Sequence, residues 1–151
     1  MTSPEIDRRG SHRRADPAWP HRRALALLAG LTSIAGIAGS IQLLAGVATP
    51  PDGDLPPGLS TWVLPGLWLL ASVGIPSGLA AVLVWRRSPW GPPAALVAAA
   101  ALTLELLVQI PFIGLSVLQL VLGLVAAAMA LLAIRARRGG WPPAHRLDVP
   151  R

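Results

Sequence analysis

Apolar residues along the chain collect into long blocks separated by short polar stretches. Residues 24–48 contain twenty-five positions without a charge. As a helix rising about 1.5 Å per residue they extend roughly 37 Å, enough to cross a bilayer. Residues 49–61 (TPPDGDLPPGLST) interrupt the pattern with Pro, Gly, Asp52 and Asp54, a composition that stops one helix and starts another. The second block, residues 62–85, has a tryptophan at each end. On a helix these lie about 35 Å apart, at the two depths where an amphipathic indole prefers to sit. The stretch RRSPWGPP follows, and its Pro92 and Pro93 suit the first turn of a helix. Residues 94–134 then run for forty-one positions with a single charge, Glu105. About twenty residues suffice for one crossing, so this block predicts two helices. The joint is a tight hairpin at residues 111–116 (PFIGLS).

The pattern predicts an all-α membrane protein, an antiparallel bundle of four transmembrane helices at about 24–48, 62–85, 94–113 and 115–134. The basic tails on either side, 1–23 and 135–151, hold too little apolar surface to fold alone, and disorder or association with lipid is expected of both. A helix is also expected to kink at Pro76, which removes a backbone donor. Ser72 or a neighbouring helix then satisfies the freed carbonyl.

Charge adds orientation. All thirteen basic residues are arginines, at 8, 9, 13, 14, 22, 23, 86, 87, 135, 137, 138, 146 and 151. Every one lies in a tail or at the 86–93 loop. Because basic residues stay on the cytoplasmic side of short loops, both termini are expected inside, and 49–61 and the third hairpin outside. A net charge of +6 raises nucleic-acid binding as a class, but arginine confined to the flanks of spans fits topology and anionic lipid headgroups. The expected partners are therefore the lipid bilayer and those headgroups, with no nucleic acid. His21-Arg22-Arg23-Ala24-Leu25, the apolar run and Gly46-Val47-Ala48 resemble a twin-arginine signal with a cleavage site. The run exceeds the usual 7 to 15 residues of such a signal, so retention as a span is expected. Richness in Ala, Gly, Pro and Arg without lysine matches the coding bias of high-GC bacteria, and the bacterial cytoplasmic membrane is the expected location.

Composition then removes chemistry. With no cysteine there is no disulfide, thiolate nucleophile or thiolate metal site. His12, His21 and His145 all fall in the tails, leaving the spans without a histidine ligand or base. Asp52-Gly53-Asp54 offers two carboxylates where calcium takes six to eight oxygens, and reads as turn chemistry. No cofactor, no metal and no enzymatic activity are expected.

Helix association in lipid depends on close approach over small residues. Candidate stripes are Ala29, Ser33, Gly36 and Ser40 in the first helix, and Ala71, Gly74, Gly78 and Ala81 in the second. The fourth offers Gly123, Ala127 and Ala130. Gly74, Gly78 and Gly123 are the expected packing glycines, serving the bundle itself, a homo-oligomer or a membrane partner.

Glu105 is the one ionisable residue within the spans. A charge at a helix centre costs about 2.5 to 3.5 kcal/mol to insert, so this side chain should face the bundle interior. Gln109 lies one turn outward on the same face. Reflecting the third hairpin about Gly114 sets Gln119 level with Gln109, and Gly123 level with Glu105. Gln42 reaches similar depth, with Ser40 and Ser72 nearby. Glu105, Gln109, Gln119 and Gln42 thus form a candidate intramembrane polar cluster. Two roles remain open: a protonated group, hydrogen-bonded to Gln109 or Gln119, that fixes helix register, or a proton-binding carboxyl of a carrier of a small lipophilic molecule. The first makes the chain a structural or interaction protein.

The segments LPGLWLLASVGIPSGLAAVLVWRR and LELLVQIPFIGLSVLQLVLGL resemble small uncharacterised bacterial four-helix membrane proteins, loosely the DoxX-like group. The likeness covers about half the chain and implies the four-helix architecture alone. Small multidrug-resistance transporters also have four helices and an essential glutamate. Theirs lies in the first helix, and the best-known members insert both ways, which a thirteen-to-none arginine bias forbids.

Overall fold

The computed structural model describes residues 19–47, 49, 55 and 58–139. The tails beyond them, with His12 and His145, and Asp52 and Asp54 of the first loop lie outside the described residues. The described chain is all helical: α1 (Trp19–Leu44), α2 (Val63–Leu69), a π-helical turn (Leu70–Gly74), α3 (Ile75–Trp85), α4 (Gly91–Ile113) and α5 (Val117–Arg138). α2, the π turn and α3 run on as one rod. Among the described residues, four helices are therefore long and apolar enough to cross a membrane.

The helix ends differ from those the apolar blocks mark. α1 begins at Trp19 rather than Ala24 and stops at Leu44 rather than Ala48. α5 runs to Arg138 rather than Ile134. A charge ends an apolar block without ending a helix, and Arg135, Arg137 and Arg138 occupy the last turn of α5, where cations complement the helix dipole. Residues 19–23 and 135–138 are thus helix rather than tail. α4 starts at Gly91 with Pro92 and Pro93 in its first turn. It ends at Gly114, whose φ of +69° is a left-handed conformation that glycine adopts without a Cβ clash.

Side-chain size is distributed inside out. The largest buried group is mostly alanine: Ala26, Ala29, Ala80, Ala95, Ala98 and Ala133, with Leu25, Val84 and Met129. Leu27, Leu31, Leu120 and Leu124 are all more than 60 % exposed. In water this would waste the hydrophobic effect. In lipid, small residues bring backbones together while large ones meet acyl chains.

Two core groups stack along the bundle. The alanine-rich group joins α1, α3, α4 and α5 near the arginine-bearing helix ends, where the Arg22 guanidinium donates to the Trp85 carbonyl at 3.2 Å. The second group, Val73, Leu102, Leu106 and Ala126 with Leu69 and Leu122, contains no α1 residue. Toward the far end α2 packs on α1 and α4 packs on α5.

The expected kink at Pro76 takes the form of the π turn just before it. The Ile75 N–H reaches back to the Leu70 carbonyl, and Ser33 of α1 donates to the Gly74 carbonyl at 2.8 Å. The neighbouring helix thus supplies a donor beside Pro76, while the Ser72 hydroxyl donates to Trp68.

Candidate functional site

α1 approaches the π turn at Gly36 and Gly74. A Cβ on Gly36 would lie 3.0 Å from the Gly74 nitrogen, and one on Gly78 2.9 Å from Ser33 Oγ. Gly74 and Gly78 therefore stand at close contacts with α1, Gly74 against Gly36 and Ile37 and Gly78 against the Ser33 side chain. Gly123 does not: a Cβ there would meet nothing within 4 Å, because it lies at the margin of the face that α5 turns inward. Ala71 is exposed. The extra residue of the π turn rotates it out of the stripe that regular helical spacing assigns to it.

The close approach of α1, the π turn and α4 sets the surroundings of Glu105. This carboxylate is 8 % exposed and stands about 12 Å from the Ile113 end of α4 at about 1.5 Å per residue. Its Oε2 accepts from Trp68 Nε1 at 2.7 Å and from Ser72 Oγ at 3.3 Å. Its Oε1 accepts from Gln109 Nε2 at 3.1 Å. Trp68 and Ser72 lie one turn apart on the same rod, so one face of span two delivers both donors. Trp68 is itself 56 % exposed, so the indole covers the carboxylate on one side while lying at the surface of the bundle.

Gln109 is the one other member of the expected cluster that touches Glu105. Gln119 is buried but belongs to the start of α5. Its Oε1 accepts from the Ser116 N–H at 2.9 Å, and the Ser116 hydroxyl accepts from the Gln119 N–H at 3.2 Å. This is a capping box, foreshadowed by Ser-Val-Leu-Gln in the sequence, and it turns the side chain to its own helix end. The Gln119 Nε2 is buried without a partner. Gln42 is exposed and stays out of the cluster. Ser40 donates to the Gly66 carbonyl at 2.8 Å and fastens α1 to α2.

Trp68 is the contact that sequence reasoning missed. The available signal was its i, i+4 spacing to Ser72, which puts an indole donor on the face of a residue already placed near Glu105's depth. No group of His, Cys, Asp and Glu able to hold a metal ion exists among the described residues.

No protein-family model, no curated protein and no solved structure matches the chain.

Proposed function

We propose that the chain is a non-catalytic, multi-pass protein of the bacterial cytoplasmic membrane with a structural or interaction role, in which Glu105 is the interhelical clasp. The observation that carries this reading is the carboxylate's complement of partners: three donors, two from span two and one from its own helix. Donors from span two and from α4 thus hold the carboxylate between the two elements, which is what a structural clasp requires. The resemblance to small DoxX-like membrane proteins is compatible with this role and adds no activity.

The proposed arrangement is an antiparallel bundle with both termini inside. Contacts between the start of α1 and the end of α3, and between the end of α1 and α2, support the antiparallel part. The arginines at the helix ends support the orientation. Those arginines face anionic headgroups in this reading, and the exposed leucine surface faces lipid, a second copy or another membrane protein.

A double-mutant cycle on the full-length protein in bilayers tests the clasp. Trp68→Phe removes one donor, and Glu105→Leu removes the acceptor. Each should lower unfolding stability by about 1 kcal/mol, the order measured for hydrogen bonds within membrane bundles. The double variant should cost little more than either single one. Additive losses would remove the clasp. Substrate-dependent proton flux in proteoliposomes that disappears in Glu105→Gln would replace the structural reading with the carrier.

A further inference from the structure

The three partners of Glu105 are not equivalent. The indole N–H of Trp68 is a donor and nothing else, whereas a hydroxyl and a carboxamide each offer both a donor and an acceptor. Ser72 has a single hydroxyl hydrogen and two acceptors within reach, the Trp68 carbonyl at 2.8 Å and Glu105 Oε2 at 3.3 Å. When that hydrogen points to the carbonyl, the Ser72 lone pairs face Glu105. A half-turn of the Gln109 carboxamide likewise exchanges its NH2 for its oxygen opposite Oε1. An ionised Glu105 therefore meets three donors. A protonated Glu105 finds an acceptor at Ser72 or Gln109 while Trp68 still donates to the remaining lone pairs. Both states keep partners, but the neutral one gives up the charge assistance that draws the donors of span two onto α4.

The electrical surroundings leave the charge uncompensated. Among the described residues, α1 carries its charged or titratable groups, His21, Arg22 and Arg23, near its first turn. α5 carries its arginines in its last turn, and span two has Arg86 and Arg87 just past its end. All lie at the arginine end, with the alanine-rich core between them and Glu105. α1, α2, the π turn, α3 and α5 therefore present no charged or titratable side chain to this carboxyl.

The position also has mechanical leverage. Among the described residues, the side-chain hydrogen bonds joining span two to α4 are those that Glu105 accepts from Trp68 and Ser72. They stand where the bundle divides into the α1–α2 and α4–α5 pairs.

We propose that Glu105 is a reversible proton-binding site, and that its charge sets how tightly the two helix pairs are held together at the far end. Bonds to an ionised acceptor are shorter and roughly twice as strong as neutral ones. Taking up a proton from water removes that assistance and commits one oxygen to donating. Release returns the proton to water, with no other reactant consumed. The far ends part when Glu105 is neutral and close when it is charged. This rests on Glu105 being the clasp proposed above.

The test uses the full chain in lipid nanodiscs. Infrared difference spectra across pH, wild type minus Glu105→Gln, isolate the Glu105 carboxyl band from the carboxyls of the tails and first loop. Because the chain has no cysteine, Thr61→Cys with Leu115→Cys places spin labels on the two pairs, both at exposed positions. The expected result is a Glu105 band that appears on acidification together with a longer label-to-label distance. Glu105→Gln should show the longer distance at every pH. Trp68→Phe should also show it while keeping the band, which separates clasp from proton site and serves if Glu105→Gln folds poorly. Absence of a Glu105-dependent band across the pH range in which the protein stays folded overturns the inference. A distance that ignores pH while the band titrates does the same. If Trp68→Phe destabilises the bundle in either case, the clasp survives and the proton site alone has failed. If Trp68→Phe leaves stability unchanged, both fall together.

Discussion

At Glu105 reach matters separately from charge. Glu105→Gln keeps side-chain length and an acceptor for Trp68, and Gln109 can turn its oxygen toward the new amide. Glu105→Asp keeps the carboxyl but draws the oxygens back from donors now 2.7 and 3.1 Å away. A buried group left short of its partners costs about 1 to 3 kcal/mol, more when charged. The expected order of thermal stability at neutral pH is wild type, then Glu105→Gln within about 1 kcal/mol, then Glu105→Asp well below. An aspartate variant as stable as wild type would mean that the carboxylate is not held by these donors. Ser116 makes a second residue-scale case. Ser116→Ala removes the acceptor for the Gln119 N–H and should cost about 1 kcal/mol, as N-cap losses do.

Among the helices, the glycines separate contacts that matter from those that do not. Gly36→Ala would set a Cβ 3.0 Å from a backbone nitrogen of the π turn, and backbone cannot give way as a flexible side chain does. Overpacking of this kind costs about 1 to 3 kcal/mol. Gly123→Ala meets open space inside a helix, where alanine is favoured over glycine by about 1 kcal/mol, and should leave stability unchanged or raise it. Denaturant titration in mixed micelles of both variants checks the pair, and a loss at Gly123 equal to that at Gly36 would refute the packing described. The sequence foretold these contacts unevenly, for a physical reason. Gly74, Gly78 and Ser33 follow from regular helical spacing. A π turn adds a residue to its turn, rotates what precedes it, and carries Ala71 outward. Pro76 announced a disturbance, but not that it would take the form of a π turn over residues 70–74.

For the whole molecule, the four spans were legible because lipid enforces them: a backbone that must satisfy itself in hydrocarbon leaves continuous apolar helices in the sequence. The meeting of Trp68 with Glu105 was not, since it depends on how far one helix slides against another. An end misplaced by most of a turn, as at the start of α4 (Gly91 rather than Ala94), shifts that register by roughly 5 Å. The proposed orientation, in contrast, rests on charge alone and can be tested without reference to packing. A fluorescent protein fused after Arg138 should glow, because it folds inside. Alkaline phosphatase at the same place should be inactive, and active when inserted within residues 49–61. Replacing Arg86 and Arg87 with glutamine should not reverse these signals, because eleven arginines remain at 8–23 and 135–151 to hold both tails inside. Phosphatase activity after Arg138 would show that the arginines do not set the topology, and would place the Glu105 clasp in the cytoplasmic half of the bilayer.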